Sequence, residues 1–581
     1  MLGWLTLATV VMTWPLAAHC RTAVIGWVGD NFYFVWLIGW FKTALLDSLR
    51  WPLSVPILNY PEGWHLGYNE ITPAMVLLAL PVAVFDGPVL GYNLAILLSY
   101  VLSGFGVYLW VRRLSGNWLA GLVAGTVFAF APYRLAHVLG HFNLMGTQWL
   151  PFYFLGLHEM LSRRRGNLRP AVITGVFLGL IALTSQYYLY MSIVMSVVYS
   201  LGYLILTNAQ PLRWWRTWRR LGVAAFIALP LVASALLPYL ALARSGVWSL
   251  HSFEDVRVWS ASPSDFLLPS PRHFLWGQWV QVHFDRSLWI ENTLYVGVAA
   301  GALAVAGLCK ARGILAENRP RRKVLRFLIA DSPSAEHGIP RLMAAVALIA
   351  VLLAMGTDLH WFGRSVSVPV PAFLQRWHPY ANAFIPLPGY WMFKYLPFYS
   401  GMRVWMRYGI FTNLFVSLLA GLGSAWLIRR ARHWAVPMTA LLMALVLLDF
   451  YQGVQMLSPV QGRAVDYWLA SQPDGGAVAQ FPIEEATAPE HTYYTLLHGK
   501  PFIGGFFAAF TPPQFGRIQP VLKDFPNQAS VELLAELGVK YVLLDSRRYP
   551  DSSQWHESLA SLGLQLAAVA DGQYVYTLAN R

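Results

Sequence analysis

Residues 29–49 read GDNFYFVWLIGWFKTALLDSL and follow an apolar run at residues 2–19, LGWLTLATVVMTWPLAAH. The run approaches the roughly 20 residues that a helix needs to cross the hydrocarbon core, and it lacks the basic start and the cleavage site of a signal peptide. Beyond it, apolar side chains recur at helical spacing at Phe34, Ile38, Phe41, Leu45 and Leu49. This pattern predicts a retained first span followed by an amphipathic helix over 32–49 that lies in the membrane interface.

The composition of the whole chain supports a membrane protein. Of 581 residues, 56% are hydrophobic and 12% are charged, and the mean hydropathy is +0.47. Ordinary soluble proteins carry about 25% charged residues, so the composition excludes a disordered protein, a coiled coil and a typical cytosolic enzyme. The 26 Trp residues suit a chain with many membrane–water interfaces. We therefore expect an α-helical polytopic membrane protein.

Apolar stretches of spanning length recur along the chain. The predicted spans are 2–19, 91–111, 118–134, 144–160, 170–185, 187–207, 221–243, 291–309, 341–356, 409–428 and 435–451, eleven in all. The stretch 73–90 is also apolar, but three prolines and Asp86 interrupt it. It is predicted to be half-inserted or re-entrant, with a twelfth span as the alternative.

The loops between these spans alternate in charge. The basic loops contain Arg112–Arg113, Arg163–Arg169, Arg213–Arg220, Lys310–Arg341 and Arg429–Arg432, and they hold half of the 42 Lys and Arg residues. By the positive-inside rule they are cytoplasmic. The longer loops 20–90, 135–143, 244–290 and 357–408 then face outward, the N-terminus lies inside, and everything after residue 451 lies outside. Membrane orientation, rather than a nucleic-acid partner, thus explains the net charge of +14.

The chain changes character after about residue 460. Strand-like runs occur at 476–483, 540–545 and 573–578, and helical stretches occur at 529–537 and 553–562. The sequence therefore predicts a transmembrane domain over 1–455, which includes the long first loop 20–90, and a small extracytoplasmic α/β domain over 460–581. Cys20 and Cys309 are the only cysteines, and they suit neither a disulfide framework nor a zinc site.

The first outward loop carries the strongest candidate for chemistry. Asp30 and Asn31 follow the first span directly, and NYPEGWHLGYNEITP at 59–73 adds Glu62, His65 and Glu70. Ionisable groups beside a bilayer are costly and are functional candidates by default. Asp is also a favoured helix N-cap, so the sequence leaves a capping and a catalytic role open for Asp30, and the two are not exclusive.

Other outward loops hold further candidates. Asp265 lies in a Ser-Pro-Ser-Asp-Phe turn, where a cap is the favoured interpretation, whereas Glu291 opens a span and is predicted to face a cavity. His137 and His141 are four residues apart, which suits one helix face, but spacing shows no third metal ligand, so a hydrogen-bonding role is favoured. The predicted belt anchors or sugar contacts at the start of the sixth span are Gln186, Tyr187 and Tyr188.

Two arginines depart from the charge rule. Arg403 and Arg407 are four residues apart on the predicted outer side. Arginine binds phosphate in a bidentate manner better than lysine does. The pair therefore indicates a site for a lipid phosphate, with headgroup snorkelling or a loop carboxylate as the alternatives.

The layout resembles the GT-C superfamily of integral-membrane glycosyltransferases. The resemblance rests on Gly29-Asp30-Asn31 after the first span, on the long loop 20–90, and on an outward C-terminal domain. More narrowly, Tyr60–Gly63, Ser264–Phe266, Glu291–Gly297, Arg403–Arg407 and His498–Gly505 are similar to multi-span bacterial proteins of the YfhO group. Many superfamily members carry paired acids in the first loop, where this chain has Asp-Asn, which leaves a divalent metal as an open question.

The resemblance implies an inverting hexosyl- or pentosyltransferase in a bacterial plasma membrane. Its donor would be a polyprenyl-phosphate sugar, and its acceptor would be an unknown glycan, lipid or protein on the outer face of the membrane. Asp30 would act as the base, helped by Glu62 or Glu70, and Arg403 and Arg407 would hold the phosphate. Phosphate loops and hydrolase signatures are absent from the sequence. The alternative is a non-catalytic carrier of lipid-linked glycan or a cell-envelope assembly factor, and a closed, packed interior would favour a scaffold.

Overall fold

The structure is a computed structural model that describes residues 1–162, 167–207, 215–244, 251–310, 338–371, 382–473, 475–508, 510–549 and 555–578. The chain is mainly helical. Arg163, Arg164, Arg165, Arg213 and the basic residues from Arg312 to Arg326 lie outside the described residues, so this part of the orientation prediction does too.

Most helices precede residue 451. In chain order they are α1 (Leu2–Met12), α2 (Leu16–His19), α3 (Asp30–Lys42), α4 (Pro73–Asp86), α5 (Pro88–Ser115), α6 (Trp118–Ala129), α7 (Pro132–His137), α8 (Phe142–Met145), α9 (Trp149–Ser162), α10 (Arg169–Ala182), α11 (Gln186–Thr207), α12 (Trp215–Arg244), α13 (Phe253–Val258), α14 (Gly277–His283), α15 (Val298–Lys310), α16 (Ile339–Ala354), α17 (Pro388–Tyr395), α18 (Gly409–Ala431) and α19 (Ala435–Phe450).

The remaining helices and the strands complete the fold. The helices are α20 (Ala464–Ser471), α21 (Ala488–His498), α22 (Pro513–Lys523), α23 (Gln528–Glu536) and α24 (His556–Ser561). The strands are β1 (Ala23–Ile25), β2 (Ser54–Val55), β3 (Trp64–His65), β4 (His360–Trp361), β5 (Arg364–Ser365), β6 (Ser367–Pro369), β7 (Asn382–Phe384), β8 (Leu457–Pro459), β9 (Ala477–Phe481), β10 (Val539–Asp545), β11 (Leu564–Ala570) and β12 (Gln573–Leu578).

Four helical runs in the described residues are long and apolar enough to cross a membrane. They are Pro88–Ser115, Gln186–Thr207, Trp215–Arg244 and the run Trp405–Phe450. Shorter apolar helices fall on other predicted spans, among them α1, α6 and α16. The chain is therefore a helical membrane protein, and the count of eleven spans stays a prediction.

Several predicted boundaries move for local reasons. The predicted span 291–309 becomes helical only at Val298, after Gly297 adopts a positive φ of 87°, which favours glycine. In the stretch 73–90, α4 continues through Pro81, and the break falls instead at Gly87, with a φ of 88°. The 14 residues of α4 are too few to cross a bilayer upright.

Close backbone contact joins two helices of the membrane region. Helix α15 packs against α18, and a Cβ added at Gly307 would lie 2.1 Å from the Leu419 carbonyl oxygen, while one at Gly423 would lie 1.9 Å from that of Leu303. Small residues let membrane helices approach closely. This contact holds α18, and with it the segment that precedes α18, in a fixed position.

The prediction of an interfacial amphipathic helix over 32–49 is wrong. The helix runs from Asp30 to Lys42, and every residue from Asn31 to Phe41 is buried. It is buried because α4 and α5 pack against it together with α21 from the C-terminal part of the chain. Trp36 donates a 2.9 Å hydrogen bond from Nε1 to Thr495 Oγ1. A helix that is apolar all round belongs in a protein core.

The C-terminal part forms a four-stranded sheet in the order β11-β12-β10-β9. Strand β10 pairs parallel to β9 and antiparallel to β12. Helices flank the sheet, and its two faces cover separate apolar clusters, one around Leu534 and Leu544 and one around Val465 and Leu543. Strands β9, β10 and β12 lie within two residues of the predicted runs, whereas β11 (Leu564–Ala570) was not predicted from the sequence.

Because Trp36 is fully buried and joins α3 to α21, we expect Trp36→Ala to lower the free energy of unfolding by about 3–5 kcal/mol. Thermal unfolding of the purified protein in detergent, followed by circular dichroism, measures the effect. Trp51→Ala is the matched control, because that side chain is 70% exposed. Equal melting temperatures for the two variants would contradict the burial of α3.

Candidate active site

One cavity of about 640 Å³ lies between the start of α3, helices α11 and α12, and the segments 287–291 and 398–407. It gathers most of the site residues that the sequence predicts. The predicted residues on its wall are Asp30, Glu70, His141, Gln186, Tyr187, Glu291, Arg403 and Arg407. The cavity therefore joins the first loop to arginines that lie far along the chain.

The position of Asp30 is fixed by short local contacts. Strand β1 pairs antiparallel with β8, which follows the last membrane helix. Gly29 is the N-cap of α3, and Asp30 is the first helical residue, with no side-chain capping bond. Asn31 Oδ1 instead accepts hydrogen bonds from the N–H groups of Gly29 and Phe32, at 3.1 and 3.0 Å. The capping interpretation of Asp30 is therefore wrong, and its carboxylate faces the cavity.

The surroundings of Asp30 make it more basic. Burial raises the pKa of its carboxyl above the ordinary value, while His141 and Arg407 act in the opposite direction. Burial disfavours the charged form of a carboxyl group. Since an effective general base needs a pKa near the working pH, the shift suits proton abstraction.

A buried ion pair forms part of the cavity wall. Arg407 Nη2 lies 2.6 Å from Glu291 Oε1, and its Nε lies 3.2 Å from both carboxylate oxygens. The guanidinium also stacks on the Tyr187 ring, 4.4 Å from its centroid. The prediction that Glu291 faces a cavity is confirmed. Its charge, however, is already matched by Arg407, one of the two predicted phosphate ligands.

Arg403 differs from Arg407 in both exposure and pairing. Its side chain is exposed on the cavity wall, with the guanidinium 5.1 Å from the centroid of the Trp259 ring. It makes no salt bridge with any carboxylate in the described part of the chain. The cavity thus contains one guanidinium that is paired with a carboxylate and one, that of Arg403, that makes no salt bridge among the described residues, although it interacts electrostatically with Asp255.

His137, His141 and Glu291 form a group of possible metal ligands, with donor atoms within 4.8 Å of one another. The two histidine Nδ1 atoms lie 2.7 Å apart. His137 Nε2 is buried without a hydrogen-bond partner and lies 3.7 Å from Glu291 Oε2. Two imidazoles and a carboxylate are a common ligand set for Zn²⁺. Sequence spacing missed the third ligand because Glu291 belongs to a distant loop.

Glu70 is the second carboxyl on the cavity wall. Asn143 Nδ2 donates a hydrogen bond to Glu70 Oε2, and no salt bridge of Glu70 occurs among the described side chains. Burial raises the pKa of Glu70, and the distant Arg407 charge opposes this rise. Glu70 is therefore a carboxyl group on the cavity wall that is held by a hydrogen bond rather than by a salt bridge.

Six predicted site residues do not line the cavity, and one of them is His137, whose contacts are described above. Glu62 is exposed and pairs with Arg517 at 3.2 Å. His65 accepts a bond from the Gly67 N–H at its Nδ1, and Tyr188 bonds to Tyr133 and to the Leu144 carbonyl behind the wall. Asn31, as described above, serves the helix start.

Asp265 is the last of these six residues. It accepts a bond from the Ser262 N–H at 2.7 Å and forms a buried salt bridge with Arg286 at 2.5 Å. Its predicted capping role is confirmed, and a supporting role beside Asp30 is wrong because Asp265 does not line the cavity.

The C-terminal part contributes a wall of the cavity that the sequence did not reveal. Phe506 and Phe510 line it, and Phe506 contacts Tyr33 with ring centroids 5.0 Å apart. Asn69 Nδ2 donates to the Phe506 carbonyl at 3.0 Å, and Gln514 Nε2 donates to that of Tyr60 at 2.7 Å.

Comparison with families places the chain. The model of the family described as Domain of unknown function (DUF6311) matches residues 4–383. The chain belongs to this family. Comparison with curated proteins gives no significant match.

Solved structures of similar fold include two GT-C glycosyltransferases. The arabinofuranosyltransferase AftD from Mycobacteria aligns with a TM-score of 0.55 and 15% identity, over 100% of this chain and 40% of that one. The oligosaccharyltransferase from Archaeoglobus fulgidus in the apo form gives 0.51 and 14%, over 100% and 74%. The same enzyme in complex with Zn and sulfate gives 0.50 and 14%, over 99% and 72%. This DUF6311 protein therefore has the GT-C fold, and it spans less than half the length of AftD.

The buried pair Arg407–Glu291 and the exposed pair Arg517–Glu62 should contribute differently to the free energy of unfolding. Arg407→Met leaves Glu291 buried without a counter-charge, and we expect a loss of about 3–5 kcal/mol in the free energy of unfolding. Arg517→Met breaks the pair with Glu62, in which the arginine side chain is 73% exposed and the glutamate side chain 50%. We expect this change to lower the free energy of unfolding by less than about 1 kcal/mol. Detergent-based chemical denaturation compares the two, and equal losses would contradict the buried ion pair.

Proposed function

We propose that this DUF6311 protein is a membrane glycosyltransferase that moves a sugar from a polyprenyl-phosphate donor to an acceptor hydroxyl on the outer face of the membrane. The observation that carries the proposal is that one cavity is lined both by Asp30 and by Arg403, which makes no salt bridge among the described residues. An open cavity between a base and an anion-binding cation suits group transfer and disfavours a packed scaffold. The GT-C fold supports the same reaction class.

The membrane arrangement belongs to the proposal. Eleven spans in a bacterial plasma membrane would place the N-terminus in the cytoplasm and residues 460–581 outside. The division into a membrane domain over 1–455 and an α/β domain over 460–581 is supported by the separate apolar clusters of the sheet. The contact of Phe506 and Phe510 with the cavity supports a position of that α/β domain on the same side of the membrane as Asp30.

Asp30 is assigned as the general base. The acceptor O–H proton passes to its carboxylate while the acceptor oxygen bonds to the anomeric carbon of the sugar. The bond from that carbon to the phosphate oxygen breaks, and polyprenyl phosphate leaves with the electron pair. Attack opposite to the leaving group inverts the anomeric configuration. Asn31 takes no part because its Oδ1 accepts bonds from Gly29 and Phe32 and its Nδ2 donates to the Ile25 carbonyl.

Arg403 is assigned as the main ligand of the donor phosphate. It is exposed within the cavity and has no carboxylate partner among the described residues, so its donors are available to an anion. Arg407 supports the phosphate from a distance, since Glu291 already occupies its Nε and Nη2 donors. This division refines the expectation from the sequence, which gave both arginines the same role. Hydrogen bonds to the departing phosphate stabilise the charge that develops there.

The residues His137, His141 and Glu291 fit a divalent cation, because His137 Nε2 is buried without a partner and faces the Glu291 carboxylate. A cation bound there would neutralise negative charge on the phosphate as a Lewis acid. Arg407 shares Glu291 and keeps that carboxylate oriented toward the histidines. The similar archaeal enzyme is known in complex with Zn and sulfate, which supports a metal and an oxyanion as ligands of the present chain.

Sugar rings would meet aromatic side chains on the cavity wall. Rings of the first loop, of α11 and of the outward segments line it: Trp27, Tyr33, Tyr68, Tyr187, Tyr190, Trp259 and Trp289. Tyrosine and tryptophan combine an apolar face with a polar edge, which matches the two kinds of surface of a sugar. Gln186 and Glu70 add polar groups for its hydroxyls.

The assignment of Asp30 predicts that Asp30→Asn lowers the rate of sugar transfer by about 10²–10⁴-fold, because the amide cannot accept the proton. The assay follows label from radiolabelled polyprenyl-phosphate sugars into acceptor in proteoliposomes. Asp86→Asn is the matched control, since Asp86 pairs with Arg21 outside the cavity. A folded Asp30→Asn variant with unchanged transfer would refute the role of base, and movement of intact donor across the membrane without release of lipid phosphate would favour the carrier.

The assignment of Arg403 predicts that Arg403→Ala raises the KM for the donor by about tenfold to a hundredfold, because one or more charged hydrogen bonds to phosphate are lost. Arg403→Lys should recover part of the loss. Arg364→Ala, at an exposed arginine outside the cavity, is expected to behave as the parent protein. Steady-state kinetics with varied donor decide the question, and an unchanged KM in Arg403→Ala would exclude this phosphate site.

If His137, His141 and Glu291 hold a metal ion, the purified protein should bind Zn²⁺. The variant His137→Ala should then have an affinity for Zn²⁺ lower by about tenfold or more. Equilibrium dialysis with elemental analysis measures the bound metal. His283→Ala removes an exposed histidine outside the group and serves as the control. Identical zinc binding by the parent protein and by His137→Ala would show that this group holds no metal.

A further inference from the structure

An uncharged, tryptophan-rich segment lies outside the cavity. Residues 274–284 read FLWGQWVQVHF and contain no Asp, Glu, Lys or Arg. Within it lies the helix α14. Apolar side chains of the segment 274–284 are unusually exposed: Leu275 is 62% exposed, Trp276 57%, Trp279 48% and Val282 73%. Exposed apolar patches of this kind mark contacts with a partner or a membrane.

The exposed and buried positions sort into separate faces of α14. Trp276, Trp279 and Val282 follow one another at intervals of three and so lie along one side. Val280 is fully buried on another side, and Gln278 and Gln281 form an exposed polar side. The helix thus has a face toward the protein, a polar face and an apolar face without a partner among the described residues.

The patch adjoins the end of the last membrane helix. The segment just before α14 is held there by a 3.1 Å contact from His273 Nε2 to the Asp449 carbonyl and by a 3.2 Å bond from the Phe274 N–H to the Tyr451 carbonyl. Leu445 and Leu448 on α19 are themselves 44% and 52% exposed. The apolar face of α14 therefore continues the surface that α19 presents to lipid.

Trp14 extends this surface on the other side. It is 50% exposed and lies just past α1, where its carbonyl accepts a 2.8 Å bond from the Gln455 N–H. The ends of α1 and α19 and the start of α14 are thereby at one level. Tryptophans gather at the membrane–water interface because their rings are apolar with one polar N–H.

We propose that α14 lies in the membrane–water interface, with Trp276, Trp279 and Val282 inserted into the lipid and Gln278 and Gln281 facing water. The occupant of the apolar face is the bilayer. The helix replaces the one expected at 32–49 as the interfacial helix of this protein. Because the chain runs from α14 directly into Ser287–Glu291 on the cavity wall, lipid contact would hold that wall at the level of the membrane surface.

Site-directed spin labelling tests the proposal. In a background with Cys20→Ser and Cys309→Ser, single cysteines are placed by Val282→Cys and Leu275→Cys on the apolar face and by Gln278→Cys and Gln281→Cys on the polar face. The full-length protein is reconstituted into vesicles of phosphatidylethanolamine and phosphatidylglycerol. Collision of the nitroxide with apolar O₂ and with water-soluble nickel–EDDA is then measured at each site.

The expected result is a clear separation of the two faces. Labels at 275 and 282 should collide more with O₂ than with nickel–EDDA, and labels at 278 and 281 should show the reverse. Equal, water-like access at all four sites would overturn the proposal. Protection of 275 and 282 from both reagents would also overturn it, since that result indicates a protein partner on this face. Because all four side chains are exposed, the substitutions leave the core unchanged, and the outcome does not depend on the transferase activity.

Discussion

The bidentate ion pair between Arg407 and Glu291 is the constraint on which the arrangement of the cavity depends. It joins the loop before α15 to the segment before α18, and each charge has lost much of its contact with water. Separating the two side chains would leave each charge buried without a counter-charge, and the energetic cost of that state keeps them together. The pair presents Glu291 to His137, whereas Arg403 makes no salt bridge among the described residues. The proposed phosphate site at Arg403 depends on this difference between the two arginines.

The first loop and the C-terminal part form one structural unit around this cavity. Helix α3 packs against α21. The first loop is also hydrogen-bonded to the C-terminal part, for example by a 3.1 Å bond from the Tyr60 N–H to the Phe502 carbonyl. Asp30 therefore cannot move independently of the α/β part of the chain. The same contacts give that part a direct role in shaping the space that an acceptor would occupy.

The sequence predicted those features that follow from local pattern. Composition and periodicity placed the apolar helices, and the alternation of β-branched and aromatic residues placed β9, β10 and β12. The position of Asp30 after the first span and the location of Arg403 and Arg407 marked these groups as candidates, and the GT-C resemblance implied that they act together. Each of these signals lies within a short stretch of residues or in the charge of a single loop.

The failures concern contacts between distant segments. The spacing of Phe34, Ile38 and Phe41 is the same for a helix on a membrane surface as for one covered by another part of the chain, so the burial of α3 under α21 was invisible. Glu291 could not be recognised as a partner of Arg407 and of two histidines, because no spacing links residues more than a hundred positions apart. The sequence left both a capping and a catalytic role open for Asp30, because Asp and Asn can both serve a helix start and only geometry shows that Asn31 makes these bonds.

A cryo-electron microscopy structure of the protein with a bound polyprenyl-phosphate donor analogue tests the central claim most directly. The account predicts phosphate density against the Arg403 guanidinium, the lipid tail leaving the cavity toward the bilayer, and the anomeric carbon on the side that faces Asp30. Phosphate bound outside this cavity, or protein side chains filling the space between Asp30 and the sugar, would contradict it.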